Sequence, residues 1–203
     1  MSIYLADEAD DRDMRRRQLA KRLVVHEART QTIYDFTGYT RHRLAALRKR
    51  WGVPPEARHR GPSPTSFAVF FQSLRGRAEA SCVSLFCSLY GAVPTSTGSY
   101  RKRFAELEIG ERLCEAFEAY RACYPWSEVT FEQFKLIAGG LWKADVVQLA
   151  SCEKCDCVIL IDKLAWRRHI CSFCQRLEMN QGDATEEGEG GKSAPKGGQG
   201  ELF

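Results

Sequence analysis

Two Cys-x-x-Cys pairs stand close together in the last third of this chain of 203 residues. Cys152 and Cys155 form the first pair, Cys171 and Cys174 form the second, and fifteen residues separate the pairs. A turn of this kind brings two thiolates within reach of one ion, and four sulfur ligands in a tetrahedron suit structural zinc. The spacing also matches that of known zinc sites. The pattern therefore predicts a four-cysteine site that binds one structural Zn²⁺ per chain.

Other uses of these cysteines are weaker interpretations. Disulfides are typical of secreted proteins, and the first residues show no basic segment followed by an apolar core. We therefore expect a cytoplasmic chain with reduced thiols. Iron can also bind four cysteines, and a thiol redox switch that uses Cys155, Cys157 or the paired cysteines stays open as a rival. Since a closed site needs no fifth ligand, we expect Cys157 to be a small buried hydrophobic side chain instead of a competing ligand.

The distribution of apolar residues predicts a mainly α fold in three parts. Residues 1–145 lack strand-like alternation and form a predicted helical domain for DNA or partner binding. Residues 146–178 hold two short β-prone runs, at 146–149 and 158–161, which predict a small zinc-ribbon-like module. Residues 179–203 are rich in Gly and Glu and predict a disordered acidic tail. No apolar run approaches the length of a membrane span, so we expect no membrane association.

A helix-turn-helix-like segment is predicted near the N-terminus. Residues 12–36 form the predicted first helix, with an apolar side that consists of Leu19, Leu23 and Ile33. Gly38 breaks this helix, and Thr40 is a good N-cap for a second helix. The stripe of the second helix that faces inward consists of Leu44, Leu47 and Trp51.

The opposite side of this second helix is cationic. Residues 41–60 hold seven Arg or Lys and one acid, although the whole chain carries a net charge of only +4. Small alanines occupy the centre of the outward side, and arginines on its rims can reach phosphates and guanine edges. The candidate DNA contacts on this helix are Arg41, Arg43, Arg48, Lys49 and Arg50. The zinc module is also basic, through Lys154, Lys163, Arg167, Arg168 and Arg176, and Lys163, Arg167 and Arg168 are its candidate DNA contacts. A charge run of this kind is also typical of a solvated helix face.

Three further helices are predicted from apolar spacing. One begins near Pro64 and runs over 67–89, one spans 104–120 with an interruption near Gly110, and one begins at Phe131. Gly139 and Gly140 weaken the last of these. The cysteines outside the metal pattern have no metal spacing and are expected to be buried: Cys82, Cys87, Cys114 and Cys123.

Catalytic motifs are missing from the sequence. It contains no nucleophile motif, no Walker loop and no dinucleotide-binding fingerprint. A zinc ion held by four cysteines also leaves no open position for water. We therefore expect a protein that is not an enzyme.

The metal pattern and its flanks resemble a known family. Residues 147–152 read Val-Gln-Leu-Ala-Ser-Cys, and after Cys155 residues 170–175 read Ile-Cys-Ser-Phe-Cys-Gln. This stretch resembles the C-terminal zinc region of the FlhC family, the zinc-containing subunit of the bacterial flagellar master transcriptional activator. The order upstream agrees: a basic helix after a short turn, a Pro-Pro stretch and an aromatic-rich helix. The similarity covers roughly residues 15–177.

The resemblance implies a function. FlhC-like proteins work with FlhD in a heterohexamer that binds flagellar promoters and recruits RNA polymerase. The family's four zinc cysteines correspond to Cys152, Cys155, Cys171 and Cys174. Two features depart from the family: the extra thiol of Cys157, and an acidic tail where a basic stretch is expected. An alternative function is a zinc-stabilised protein-interaction adaptor without sequence-specific DNA binding.

Overall fold

A computed structural model describes residues 3–54, 62–93, 106–165 and 168–186. Within these ranges the chain forms eight helices and one sheet of two strands. A cluster of cysteines lies beside the sheet. These features confirm a mainly α fold with a small cysteine-rich module near the C-terminal end. None of the helices in the described ranges has the length and apolar character needed to cross a membrane.

The helices come first along the chain, and the two strands precede the last helix. The helices are α1 (Ile3–Val25), α2 (Thr30–Thr37), α3 (Arg41–Arg50), α4 (Ala68–Phe71), α5 (Leu74–Leu89), α6 (Glu106–Cys123), α7 (Phe131–Lys143) and α8 (Ser172–Glu186). The strands are β1 (Val147–Ser151) and β2 (Val158–Asp162), which pair antiparallel between α7 and α8.

Two predicted long helices are each divided in the structure. The helix expected over 12–36 is interrupted between α1 and α2, where Glu27 adopts a left-handed φ of 58°. Its apolar side was predicted correctly, since Leu19, Leu23 and Ile33 are all buried. The helix expected over 67–89 is divided into α4 and α5, because the Ser73 hydroxyl accepts a hydrogen bond from the Gly76 amide (3.0 Å) and starts a new helix.

The glycines of α6 and α7 do not interrupt these helices, contrary to expectation. A Cβ atom at Gly110 would lie 2.8 Å from Leu19 Cδ2 and 2.9 Å from Phe36 Cβ. At Gly140 it would lie 2.6 Å from the Phe67 ring. Both glycines therefore serve close packing between elements, and the helices continue through them.

The hydrophobic core joins the helices to the ribbon. Its aromatic centre contains Phe117, Tyr120, Phe131 and Phe134, whose rings pack in edge-to-face and tilted pairs. The strands contribute Val147 and Leu160 to the same core. The predicted module at 146–178 thus packs directly on the helical part.

Helix α8 extends further than expected. Residues 179–186 were predicted to belong to the disordered acidic tail, but they lie in the second half of this helix. The rest of the predicted tail, residues 187–203, lies outside the described residues.

Candidate metal centre

The first arm of the centre is the turn between β1 and β2. The Cys152 amide donates to the Cys157 carbonyl oxygen (2.9 Å), which extends the strand ladder by one step beyond Ser151 and Val158. Asp156 adopts a left-handed φ of 57°, and its amide donates to the Cys152 carbonyl oxygen (3.0 Å). These bonds close a tight turn that holds Cys152, Cys155 and Cys157 on one short segment.

The second arm is the start of α8. The Cys171 amide donates to the Cys152 sulfur (3.2 Å), so the two arms are joined through a sulfur acceptor. The Cys174 amide donates to the Cys171 sulfur (3.3 Å). Amides at the first turn of a helix have no partner within the helix, and they favour a negative charge placed beside them. The amides of this turn therefore stabilise the thiolates of Cys152 and Cys171.

The structure brings three of the four predicted sulfurs, those of Cys152, Cys155 and Cys171, together with the sulfur of Cys157 instead of the predicted Cys174. The sulfurs of Cys152, Cys155, Cys157 and Cys171 all lie within 4.8 Å of one another. Cys174 lies outside this group of four, although its amide donates to the Cys171 sulfur. The Cys155 and Cys171 sulfurs are 3.7 Å apart. A tetrahedral site with Zn–S bonds of about 2.3 Å has edges of about 3.8 Å. The cluster therefore has both the donor type and the spacing of a four-thiolate metal site.

Three cysteines are more exposed than predicted. Cys157 was expected to be a buried hydrophobic side chain, but it is exposed beside the metal centre. Outside the cluster, Cys87 and Cys114 are buried as expected, whereas Cys82 is half-buried and Cys123 is exposed.

Hydrogen bonds and burial give the thiols of the centre different pKa values. The amide of Cys171 is the largest influence on Cys152, whose pKa is lowered to about 6. Burial raises the pKa of Cys171, but hydrogen bonds from the Cys174 amide and neighbouring thiols outweigh it, so the net pKa is lowered. Desolvation, together with the thiols of Cys155 and Cys171, raises the pKa of Cys157 to about 12. Contact with the Cys171 thiol raises the pKa of Cys174. Thiolates are the metal-binding form, so Cys152 and Cys171 are the thiols most ready to bind.

Helix α5 holds the centre in place through Arg77, a residue outside the predicted site. The Arg77 guanidinium donates to the Ile170 carbonyl oxygen (2.7 Å) and to the Gln175 side-chain oxygen. The Ser81 hydroxyl accepts from the Leu160 amide (3.0 Å). Arg77 belongs to no motif, and no sequence pattern marks it. Its role follows only from the packing of α5 against the loop before α8.

The basic residues of the module are engaged in different ways. Lys163 donates to the Ala144 carbonyl oxygen (2.9 Å) at the end of α7. Arg168 is exposed, and its Nε atom lies 3.7 Å from the Oε2 atom of Glu153. Lys154 pairs with Glu178, and Arg176 is exposed. Arg167 lies outside the described residues.

The predicted turn and basic helix form a separate surface. Gly38 has a φ of 69°, and the Thr40 hydroxyl accepts from the Arg43 amide (3.3 Å), which confirms the predicted N-cap. The exposed residues of α3 are Arg41, His42, Arg43, Ala45, Ala46, Lys49 and Arg50. Most of the residues that were predicted to face outward on α3 are therefore exposed.

Two of the candidate arginines on α3 make internal contacts. Arg43 lies 4.1 Å above the Tyr39 ring and pairs with Asp13 (2.9 Å). Although burial raises the pKa of Asp13, hydrogen bonds from the Tyr39 hydroxyl and from Arg43 lower it on balance. Arg48 was predicted to lie on the outward rim, but only 6% of it is exposed and it donates to the Thr30 hydroxyl (2.9 Å). Position 48 faces the start of α2, so this guanidinium is a structural group.

No protein-family model matches the chain, and no curated protein matches it. The interpretation of the centre and of the α3 surface therefore depends on their own geometry and chemistry.

Proposed function

We propose that this chain is a zinc-containing, DNA-binding subunit of a transcriptional activator of the FlhC type. In this proposal it works with FlhD at flagellar promoters in the cytoplasm, recruits RNA polymerase and has no enzymatic role. The observation that carries the proposal is the exposed cationic side of α3, which follows the Gly38 turn. The thiol cluster supports the zinc part of the proposal.

Zinc is the ion that the centre suits best. Four thiolates in a closed tetrahedron bind Zn²⁺ strongly and leave no open position for a reacting water. Bound zinc would supply folding free energy by joining the β1–β2 turn to the start of α8. Cys152, Cys155 and Cys171 would hold the ion together with a fourth thiol, which is Cys174 by the Cys-x-x-Cys spacing and Cys157 by the distances between sulfurs.

The geometry of α3 suits a DNA groove. A helix of ten residues is about 15 Å long, and the major groove of B-DNA is about 12 Å wide. Arg41 and Arg50 lie at the two ends of this helix and are both exposed, so each can reach a phosphate. Ala45 and Ala46 lie exposed between them and allow the helix to approach base edges closely.

A mobility-shift titration tests the DNA part of the proposal. The chain is purified together with FlhD and titrated onto a flagellar promoter fragment and onto a scrambled duplex of equal length. We expect a shift that is selective for the promoter. Replacing Arg41 and Arg50 with Ala should weaken binding and reduce the slope of log K against log salt by about 0.9 for each phosphate that the variant no longer neutralises.

Arg75→Ala is the matched control, because this arginine is exposed on a different helix, α5. It should leave the salt slope unchanged. Equal and weak binding to both duplexes would overturn the DNA-binding proposal and favour the adaptor function. Metal analysis of the same preparation tests the zinc part separately, with one zinc per chain as the expected result.

A further inference from the structure

The candidate metal centre contains one more thiol than a closed tetrahedral site needs. Strand pairing fixes the position of this thiol, because Cys157 lies opposite Cys152 in the extended strand ladder. Residues directly opposite one another in an antiparallel pair project to the same face, with their Cβ atoms about 4.5–5.5 Å apart. The backbone register therefore directs the Cys157 sulfur toward that of Cys152, and its distances to the sulfurs of Cys152, Cys155 and Cys171 are at most 4.8 Å.

Two ligand sets overlap in this cluster. Cys152, Cys155 and Cys171 are common to both. Cys157 completes the group of four sulfurs that lie within 4.8 Å of one another. Cys174 completes the alternative set that the Cys-x-x-Cys spacing predicts, and its amide donates to the Cys171 sulfur (3.3 Å).

We propose that Cys157 is an exchangeable fourth ligand, so that the centre holds a soft divalent metal ion with either Cys174 or Cys157. This proposal rests on the metal-binding part of the proposed function and is independent of DNA binding. In the exchange, one metal–sulfur bond forms as another breaks. The Cys157 thiol releases its proton as it binds the metal, and the departing Cys174 thiolate takes up one proton, so charge and protons balance.

The two ligand sets attach the metal to the fold differently. With Cys174, the ion would be held by two ligands from the β-turn and two from the start of α8. With Cys157, three ligands come from the six-residue segment 152–157. The ion can then stay bound to the turn when the first turn of α8 loosens. Cys155 and Cys157 are both exposed, whereas the other three thiols are buried, so these two form the solvent-facing side through which a metal-donating thiol carrier can exchange the ion.

Cobalt binding to the full-length chain tests the proposal. Co²⁺ is titrated under reducing conditions, and the sulfur-to-cobalt charge-transfer absorption reports how many thiolates bind. We expect Cys174→Ser to keep a four-thiolate spectrum and one Co²⁺ per chain. The double variant with Cys157→Ser and Cys174→Ser should have a weaker charge-transfer absorption, as expected for three thiolate ligands instead of four. It should also bind Co²⁺ at least about tenfold more weakly. Cys123→Ser is the matched control, because this cysteine is exposed on α6 outside the cluster.

Alkylation of the loaded proteins provides a second measurement. Iodoacetamide modification of Cys157, followed by mass spectrometry, should be slowed by bound Co²⁺ in Cys174→Ser. A Cys174→Ser chain that matches the double variant in absorption, or in which Cys157 stays reactive despite added Co²⁺, would overturn the exchange while leaving the metal centre intact. Failure of the unaltered chain to bind Co²⁺ would instead overturn the metal centre and the exchange with it.

Discussion

Arg48 and Arg50 are two positions apart on α3, yet their surroundings differ completely. Arg48 is buried and donates to the Thr30 hydroxyl at the start of α2. Arg50 is exposed. Two residues correspond to about 200° of rotation around a helix, so one side chain meets α2 and the other meets solvent. The same residue type therefore has a structural role at one position and is available to an anionic partner at the other.

Replacing these two arginines with Ala should separate stability from DNA binding. Arg48→Ala should lower the free energy of unfolding by about 1–3 kcal/mol, because it removes a buried charged donor and leaves the Thr30 hydroxyl without it. Arg50→Ala should change the unfolding free energy by less than about 0.5 kcal/mol, yet it should reduce the salt slope of DNA binding. Urea unfolding and mobility shifts measure the two effects. An unfolding free energy that Arg48→Ala leaves unchanged would contradict the structural role of this residue.

Cys157 shows how residue context changes an interpretation. From the sequence, Cys157 was not expected to be a ligand, since two Cys-x-x-Cys pairs already supply the four sulfurs of a tetrahedral site. The strand register places it opposite Cys152 and within the sulfur cluster. No spacing rule contains this information, because it depends on where the hairpin turns.

At the scale of elements, the packing of α6 depends on one small residue. Gly110 lies where α6 crosses close to Leu19 of α1 and Phe36 of α2. A glycine in mid-helix is unfavourable by about 1 kcal/mol relative to Ala, and for this reason the sequence predicted an interruption. The close approach of three helices compensates for that cost, and α6 remains continuous.

Substituting two glycines with Ala tests this explanation. Gly110→Ala should destabilise the fold by about 1–3 kcal/mol, because the added Cβ would lie 2.8 Å from Leu19 Cδ2 and 2.9 Å from Phe36 Cβ. Gly139→Ala is the matched control, since nothing lies within 4 Å of its added Cβ. It should stabilise α7 by up to about 1 kcal/mol through helix propensity. Thermal or urea unfolding measures both, and equal effects would argue against close packing at Gly110.

At the scale of the whole molecule, two hydrophobic clusters determine which part of the fold the metal centre stabilises. The large core joins the helices and takes in Val147 and Leu160 from the strands. A smaller cluster surrounds the thiols with Ile159, Ile161 and Ile170. Contacts of Arg77 and Ser81 on α5 link this smaller cluster to the rest. The metal centre is therefore docked on a core that contains none of its thiols.

Removing the metal should therefore loosen one part of the molecule. After treatment with a strong chelator, amides of β1, β2 and the start of α8 should exchange with solvent deuterium at least about tenfold faster, equivalent to about 1.4 kcal/mol. Amides in the middle of α6, around Leu113 and Phe117, should change little, because they lie in the large core. Hydrogen-exchange mass spectrometry measures both regions.

Restoring zinc should reverse the change, and Cys152→Ser should reproduce it without chelator, since this sulfur joins both arms. Faster exchange throughout α6 would show that the metal stabilises the whole fold, contrary to the two-cluster arrangement.

The sequence by itself determined the fold class, the ribbon and three cysteines of the centre, Cys152, Cys155 and Cys171, because these depend on local patterns. Apolar spacing marked the buried sides of the helices, and Leu19, Leu23 and Ile33 are buried as predicted. The Thr40 cap and the two strands were likewise evident from neighbouring residues.

The tertiary structure alone decided which side chains meet across elements. Arg48 is buried because α2 packs beside α3, Gly110 continues a helix because α1 and α2 approach it, and Cys157 joins the thiols because the hairpin register places it there. Each of these outcomes depends on contacts between residues that are distant in sequence or on the position of a turn. Periodicity and spacing describe only one element at a time, so they cannot contain such contacts.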